Sequence, residues 1–524
     1  MMDEKSLQKR AIIATLLAFI FFIAYDSLYL SKFRDTNATI ATKQVKAANE
    51  APNVKLDSQN KAPINTVSKE DKTIVNITSN YFNAKIDSLG RISSFKLNEN
   101  IYKDEEGNFL NLITQYPKPL EVRFANQEVN KLAFEIPYEA SVSNMDLNDG
   151  EKSVVLTQNL GEVVVKKTIT FSKRGAYRVK VETNKNENYF VTPGLRPDVA
   201  ADRLTIHGVL LRNLEDNLEI VKDGKVKNKT QTYNNIDIAS SFDRYYTTLF
   251  YNFEKPMKVA LNETSDGVNQ AFVAVEDRVF EAGGFIGPKN HELLKSINPE
   301  LSDVIEYGWF TFIAKPMFWL LSKFYTMVGN WGWAIVILTI LIRLILSPLT
   351  YKAMISMNKL KDLAPKMKEI REKYKNDPQK MQAQVMELYR KHGANPMGGC
   401  LPMILQIPVF FAIYRVLLNA IELQGAPWIL WIDNLAIKDP YFILPIIMGA
   451  AMYIQQRLTP TSFTDPMQEK IMKFLPVIFI FFFMTFPAGL TLYWCVNNIF
   501  ALIQQIIINR MFKKRKELEM AEKK

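Results

Sequence analysis

WGWAIVILTILIRLILSPLT, residues 331–350, is apolar enough to cross a bilayer, yet Arg343 interrupts it well away from either end. A guanidinium at mid-membrane costs roughly 2.5–3.5 kcal/mol on insertion scales. A carboxylate on a neighbouring span would offset that cost. No Asp or Glu occurs in residues 331–350, 400–421, 441–456 or 471–509, the other apolar runs of this half of the chain. An unpaired charge must be hydrated, so the sequence predicts a helix that faces a wet cavity within the membrane.

Working outward, residues 331–350, 400–421, 441–456, 471–486 and 489–509 each approach the roughly twenty residues that cross the hydrocarbon. Pro487-Ala488-Gly489 reads as a tight turn between the last two. Residues 11–30 form a further apolar run behind Lys9-Arg10; no small-residue cleavage site ends it, so we expect an uncleaved anchor rather than a secretory signal. Six spans follow. Residues 352–399 carry eleven Lys/Arg against five Asp/Glu, whereas residues 422–439 hold three acids and one lysine. The positive-inside bias therefore places the first segment, the basic tail and both termini in the cytoplasm.

Composition fits a chain with a long polar part and a hydrophobic part: 524 residues, net charge +11 and a mean hydropathy near zero. Residues 31–72 are rich in Asn, Ala, Lys, Ser, Thr and Pro and predict a flexible tether. From Thr73 to about residue 300 short β-prone runs alternate apolar and polar residues, as in TIVNITS, RISSFKL, SVVLTQ, EVVVKKTITF and YRVKVET. Turn signals such as Asn148-Asp149-Gly150 and Asp223-Gly224 separate them. An antiparallel β-sandwich facing the outside is expected, serving as a binding or spacer domain. Residues 301–330 predict an amphipathic helix, with Pro316 as its first residue, lying in the outer interface or packed under the β domain.

No catalytic centre is expected. Gly-x-Ser-x-Gly is absent, and the glycines at 283, 284 and 287 have the wrong spacing for a phosphate loop. His207, His291 and His392 are scattered, and His291-Glu292 lacks a second histidine one turn on, so no metal or other cofactor is expected. Cys400 and Cys495 both fall in apolar runs and imply no disulfide framework.

Binding chemistry remains. Thr339 and Ser347 flank Arg343 by one turn and form a polar stripe. Gln406, Thr485, Thr491, Asn497 and Asn498 are further polar groups in apolar runs; helix–helix hydrogen bonding accounts for most of them, and Gln406 and Thr491 are candidates to line the cavity with Arg343. Arg415, near the outer end of its span, is expected to snorkel to headgroups. The segment 352–393 reads as two cytoplasmic helices, the second capped by Asp377 and opened by Pro378. Its Lys359, Lys361, Lys366, Lys368 and Arg371, with Lys513, Lys514, Arg515 and Lys516 of the tail, suit anionic lipid or ribosomal RNA; an ordinary solvated hairpin is the alternative. Its methionines give an adaptable apolar surface.

NWGWAIVILTILIRLILSPLTYKAM (residues 330–354), NPMGGCLPMILQIPVFFAIYRVL (395–417) and TSFTDPMQEKIMKFLPVIFIFFFMTFPAGLTLYWCVNNIFALIQQ (461–505), with Tyr307-Gly308-Trp309 upstream, resemble the YidC/Oxa/Alb family of membrane protein insertases. The resemblance is ordered from about Tyr307 to the carboxyl terminus; upstream it lies in the plan of an anchor plus a large external β domain, as in the Gram-negative branch. It implies a six-helix inner-membrane protein with a five-helix insertase core (residues 331–509), a periplasmic β-supersandwich (73–300), an anchor (1–30) and a basic tail (510–524). It also implies a hydrophilic groove in the inner leaflet, closed to the outside, with Arg343 and Thr339 in it, Tyr493 and Trp494 near its end, and a hydrophobic slide along the third and fifth spans. Nascent inner-membrane proteins, membrane lipids, the Sec translocon and the ribosome are the partners implied. The main rival is a small-solute transporter or channel with a charged intramembrane site; a membrane enzyme acting on lipid or cell wall would need a nucleophile–base pair that the sequence lacks.

Overall fold

A computed structural model of the chain describes residues 72–521, apart from 105, 201–204, 227–229, 265, 376, 393–400 and 459–465. The expected anchor and tether, Cys400 and the end of the hairpin at Gly393 lie outside the described residues. Two compact units divide the rest at residues 305/306.

The first unit is β-rich. Each of the five quoted β-prone runs falls on a strand: Thr73–Thr78, Ile92–Leu97, Lys152–Asn159, Val164–Phe171 and Ala176–Thr183. The last three form an antiparallel meander whose residues alternate between buried and more open positions, as one covered face requires. They continue through Val279–Pro288 and Tyr246–Tyr251 into a sheet of thirteen strands among the described residues. Its strands Tyr246–Tyr251 and Asn269–Val275 are buried almost throughout, so their apolar runs do not alternate. A second sheet orders Ile92–Leu97, Phe82–Asp87, Thr73–Thr78 and Asn144–Asp146, the last pair parallel where a purely antiparallel sandwich was expected. Gly283 and Gly284 lie inside a strand with Tyr251 and Tyr177 rings pressed on them; a Cβ there would meet ring carbons at 2.2 Å, so these glycines serve packing. A buried charge network joins the sheets: Arg91 bridges Asp87 at 2.8 Å and Glu121 at 3.0 Å, and Glu121 also holds Arg123 at 2.7 Å. Two short helices, α1 (Gln127–Glu135) and α2 (His291–Ile297), are capped by Asn126 and Asn290.

The second unit is helical. α3 (Thr311–Val328) follows a 3₁₀ turn at Gly308–Phe310, and Pro316 lies inside it, not at its start as expected. The Thr311 hydroxyl donates to Gly308 O at 2.5 Å and helps begin the helix ahead of the proline. α4 (Trp331–Lys373) runs without a break through Pro348 and Pro365, so the first helix of the expected hairpin is the continuation of the span. Proline removes one helix donor at each site but allows the chain to continue where neighbouring bonds survive; Thr350 donates to Leu346 O at 3.0 Å beside the first. α5 (Pro378–Lys391) starts where the sequence places it, the Asp377 side chain accepting from Lys380 N. α6 (Leu401–Asn419), α7 (Ile443–Leu458), α8 (Pro466–Phe483) and α9 (Ala488–Ala521) follow, with the turn before Ala488 joining the last two. α9 carries the basic tail as a direct extension. Among the described residues, Trp331–Asn358 and Ala488–Arg515 are long and apolar enough to cross a membrane; Gln406–Asn419 and Lys473–Phe483 are shorter apolar helices.

Candidate intramembrane site

Arg343 lies on the face of α4 that packs against α9, and only 8% of it is exposed. Its Nε donates to Asn497 Oδ1 of α9 at 2.5 Å. The same oxygen accepts from Gln406 Nε2 of α6 at 3.1 Å, so one amide joins three helices. No carboxylate pairs with Arg343 among the described residues. The sequence predicted a charge that only hydration could satisfy; here the guanidinium has a protein hydrogen-bond partner, and that partner is neutral. Asn497 was visible in the sequence as a polar group in an apolar run, but nothing marked it as the acceptor for Arg343.

The polar pairs continue along α4 and α9. Gln504 donates to Ser347 Oγ at 3.1 Å, and Asn358 donates to Asn509 Oδ1 at 3.2 Å. Gln505 adds a bond to Asn509 at 2.9 Å, and Asn509 reaches Leu458 O of α7 at 3.2 Å. Because the partners advance together along both chains, α4 and α9 run parallel, and the seam is polar from Arg343 towards their carboxyl ends. Towards their amino ends it is mainly apolar: Ala334, Ile335 and Leu338 on α4 and Ala488, Leu490 and Leu492 on α9 are buried, with Thr339 and Thr491 as polar exceptions.

Two of the expected cavity residues are turned inward. Thr339 and Thr491 are buried, and each hydroxyl donates to the carbonyl four residues earlier in its own helix, Ile335 O at 2.7 Å and Pro487 O at 3.2 Å. A hydroxyl in an apolar helix satisfies itself that way when no better acceptor is near. Tyr493 is buried beside Arg343's helix, whereas Trp494 is half-buried among Phe410 of α6 and Phe479 and Phe483 of α8, with ring centroids at 4.6, 6.5 and 5.5 Å. The two adjacent aromatics thus serve different surroundings.

Arg415 is not free to snorkel. It lies 3.5 Å from Glu306, a buried carboxylate, and Asn419 donates to Glu306 O at 2.7 Å. Of the basic cluster, Lys366, Lys368, Lys513, Lys514 and Arg515 are exposed; the side chains of Lys359, Lys361, Arg371 and Lys516 lie outside the description. Met367 packs inside the α4–α5 hairpin, accepting a contact from the Tyr389 hydroxyl at 3.2 Å, while Met386 is exposed.

Comparison with known proteins assigns this architecture. The family model described as "60Kd inner membrane protein" matches residues 323–516, and that described as "YidC periplasmic domain" matches residues 243–320. A Campylobacter jejuni protein named membrane protein insertase YidC is 52% identical over 513 residues, 97% of each chain. Proteins of the same name from Wolinella succinogenes and Helicobacter pylori are 45% and 43% identical, covering 99% and 100% of this chain and 98% and 100% of their own. With near-complete overlap at this identity, a β-rich periplasmic-type domain and a helical core that carries Arg343, the chain belongs to the YidC family of membrane protein insertases.

Proposed function

We propose that this chain inserts nascent proteins into the bacterial inner membrane through a hydrophilic groove in the inner leaflet, working alone or beside the Sec translocon. The observation that carries the proposal is Arg343: a nearly buried guanidinium whose described partner is a neutral amide, on a seam with polar pairs between helices on one side of it and mainly apolar buried residues on the other. In the orientation given by the charge bias, the polar side faces the cytoplasm. The packed apolar side then closes the site to the periplasm, which a solute pore would need open.

In this reading α4, α6, α7, α8 and α9 are the five core spans, joined by an anchor at residues 1–30, and both termini are cytoplasmic. The domain limits are residues 73–300 for the β domain, 301–330 for the interfacial helix and 331–509 for the core. The mechanism follows from charge and burial. Hydrated polar groups lower the desolvation cost of a client's polar flank, and Arg343 attracts an acidic one. The client's apolar segment partitions into lipid along α6 and α8, where Ile407, Phe474, Val477, Ile478 and Phe481 are exposed. Hydrophobic transfer supplies the drive, so no bond is broken and no cofactor is consumed. The exposed lysines of the hairpin and tail offer a surface for ribosomal RNA or anionic lipid.

Reconstitution tests the proposal: the full chain alone in liposomes, with a single-span client bearing an acidic outer flank, read by protease protection of that flank. Insertion that falls with Arg343→Ala supports it. No insertion by the folded chain counts against autonomous activity.

A further inference from the structure

A guanidinium presents two edges for paired hydrogen bonds, one that includes Nε and one formed by Nη1 and Nη2. In this site Asn497 Oδ1 occupies Nε, and Nη1 and Nη2 make no hydrogen bond among the described residues. Gln406 fixes the acceptor in turn by donating to the same oxygen from α6. Asn497 is nearly buried, so its amide has little freedom to turn away. An amide oxygen satisfies Nε without cancelling the charge; an aspartate in its place would satisfy the same donors and neutralise the site.

We propose that Asn497 is a positioning residue that holds Arg343 by Nε and presents the Nη1–Nη2 edge to a carboxylate on the client, with Gln406 holding Asn497. The inference rests on Arg343 being the client-binding charge, and it assigns the preference for acidic flanks to a three-helix device on α4, α6 and α9 rather than to the arginine alone. It follows that charge at position 343 is insufficient. The fork must also be held edge-on, and position 497 must stay neutral.

The experiment uses the full chain in proteoliposomes and two clients that differ only in carrying Asp/Glu or Asn/Gln in the translocated flank. The readout is the ratio of their initial insertion rates, acidic over amide. Asn497→Asp, which keeps the acceptor and adds a negative charge, is expected to lower the ratio by about tenfold, the equivalent of one charge-assisted hydrogen bond, and to match Arg343→Ala. Asn497→Ala, which frees the fork but keeps the charge, is expected to lower it by about threefold, a smaller share of the same interaction. If Asn497→Ala does not fold, Gln406→Ala gives the same test by releasing the acceptor without removing it. A ratio that falls with Arg343→Ala but stays at the wild-type value in Asn497→Ala or Gln406→Ala overturns the positioning role and leaves Arg343's role intact. An unchanged ratio in Arg343→Ala overturns the client-binding reading itself. Equal losses for both clients in the Asn497 variants reduce the residue to packing and also overturn the proposal.

Discussion

Arg415 and Glu306 sit 3.5 Å apart at the point where the chain enters the helical unit, and the carboxylate is 7% exposed. A buried carboxylate that loses its partner keeps its desolvation penalty, whereas removing both charges removes the penalty as well. Arg415→Leu is therefore expected to destabilise the helical unit by about 1–3 kcal/mol. Arg415→Leu combined with Glu306→Gln should recover most of the loss. Thermal unfolding in detergent across the four-member cycle checks this; additive losses would show that the two side chains do not interact.

The sequence made the β-rich unit legible through alternation, and made Arg343 legible through a charge in an apolar run. The partner of Arg343 was not legible, because Asn497 becomes its acceptor only once the register between α4 and α9 is set, across 154 residues of chain. Glu306 was hidden from Arg415 for the same reason, at a separation of 109 residues. Thr339 and Thr491 were legible as polar groups in apolar runs, but their hydrogen bonds were not: a hydroxyl can always choose its own helix carbonyl, and periodicity does not report that choice. Pro316 was read as a helix start from its backbone chemistry, and the helix begins five residues ahead of it at Thr311.

Acid should weaken the β unit through His207. Burial, and then the nearby Arg196 guanidinium, push its imidazole down to about 4 from an ordinary value of 6.5. The folded state binds this proton less readily than the unfolded chain does. The stability it allows is complete above pH 6.5 and falls as pH drops towards 4, with a slope of at most about 1.4 kcal/mol per pH unit for one proton. Hydrogen exchange in the adjoining strand Gly208–Asn213, corrected for intrinsic rates, should show that loss, and His207→Gln should flatten it. Equal slopes in both proteins would assign the acid sensitivity elsewhere.

The Ser347–Gln504 rung separates losing a partner from losing a polar group. Gln504 is buried, donates to Ser347 Oγ, and has an Oε1 that is unpartnered among the described residues. Ser347→Ala strands the donor as well and should cost about 1 kcal/mol, the scale of one intramembrane hydrogen bond. Gln504→Leu removes the donor and the unpaired acceptor together, so it should cost less than Ser347→Ala or stabilise the bundle. Unfolding in mixed micelles measures both; a larger loss for Gln504→Leu would mean that the glutamine binds something in the membrane that Ser347 does not supply.

Trp494 divides ring packing from its polar handle. Its Nε1 is buried without a hydrogen-bond partner among the described residues, while its ring meets Phe410 edge-on at 4.6 Å and lies nearly parallel to Phe483 at 5.5 Å. Losing the N–H should therefore cost little, and losing the ring should cost much. Trp494→Phe keeps most of the aromatic contact and is expected to cost about 1 kcal/mol or less. Trp494→Ala opens a cavity between α6, α8 and α9 and is expected to cost about 3 kcal/mol, reduced where lipid chains fill the gap. Thermal shifts of the two variants in detergent distinguish the contributions. A Phe variant as unstable as the Ala variant would show that the indole N–H has an acceptor in the membrane, and would move Trp494 from packing to polar recognition.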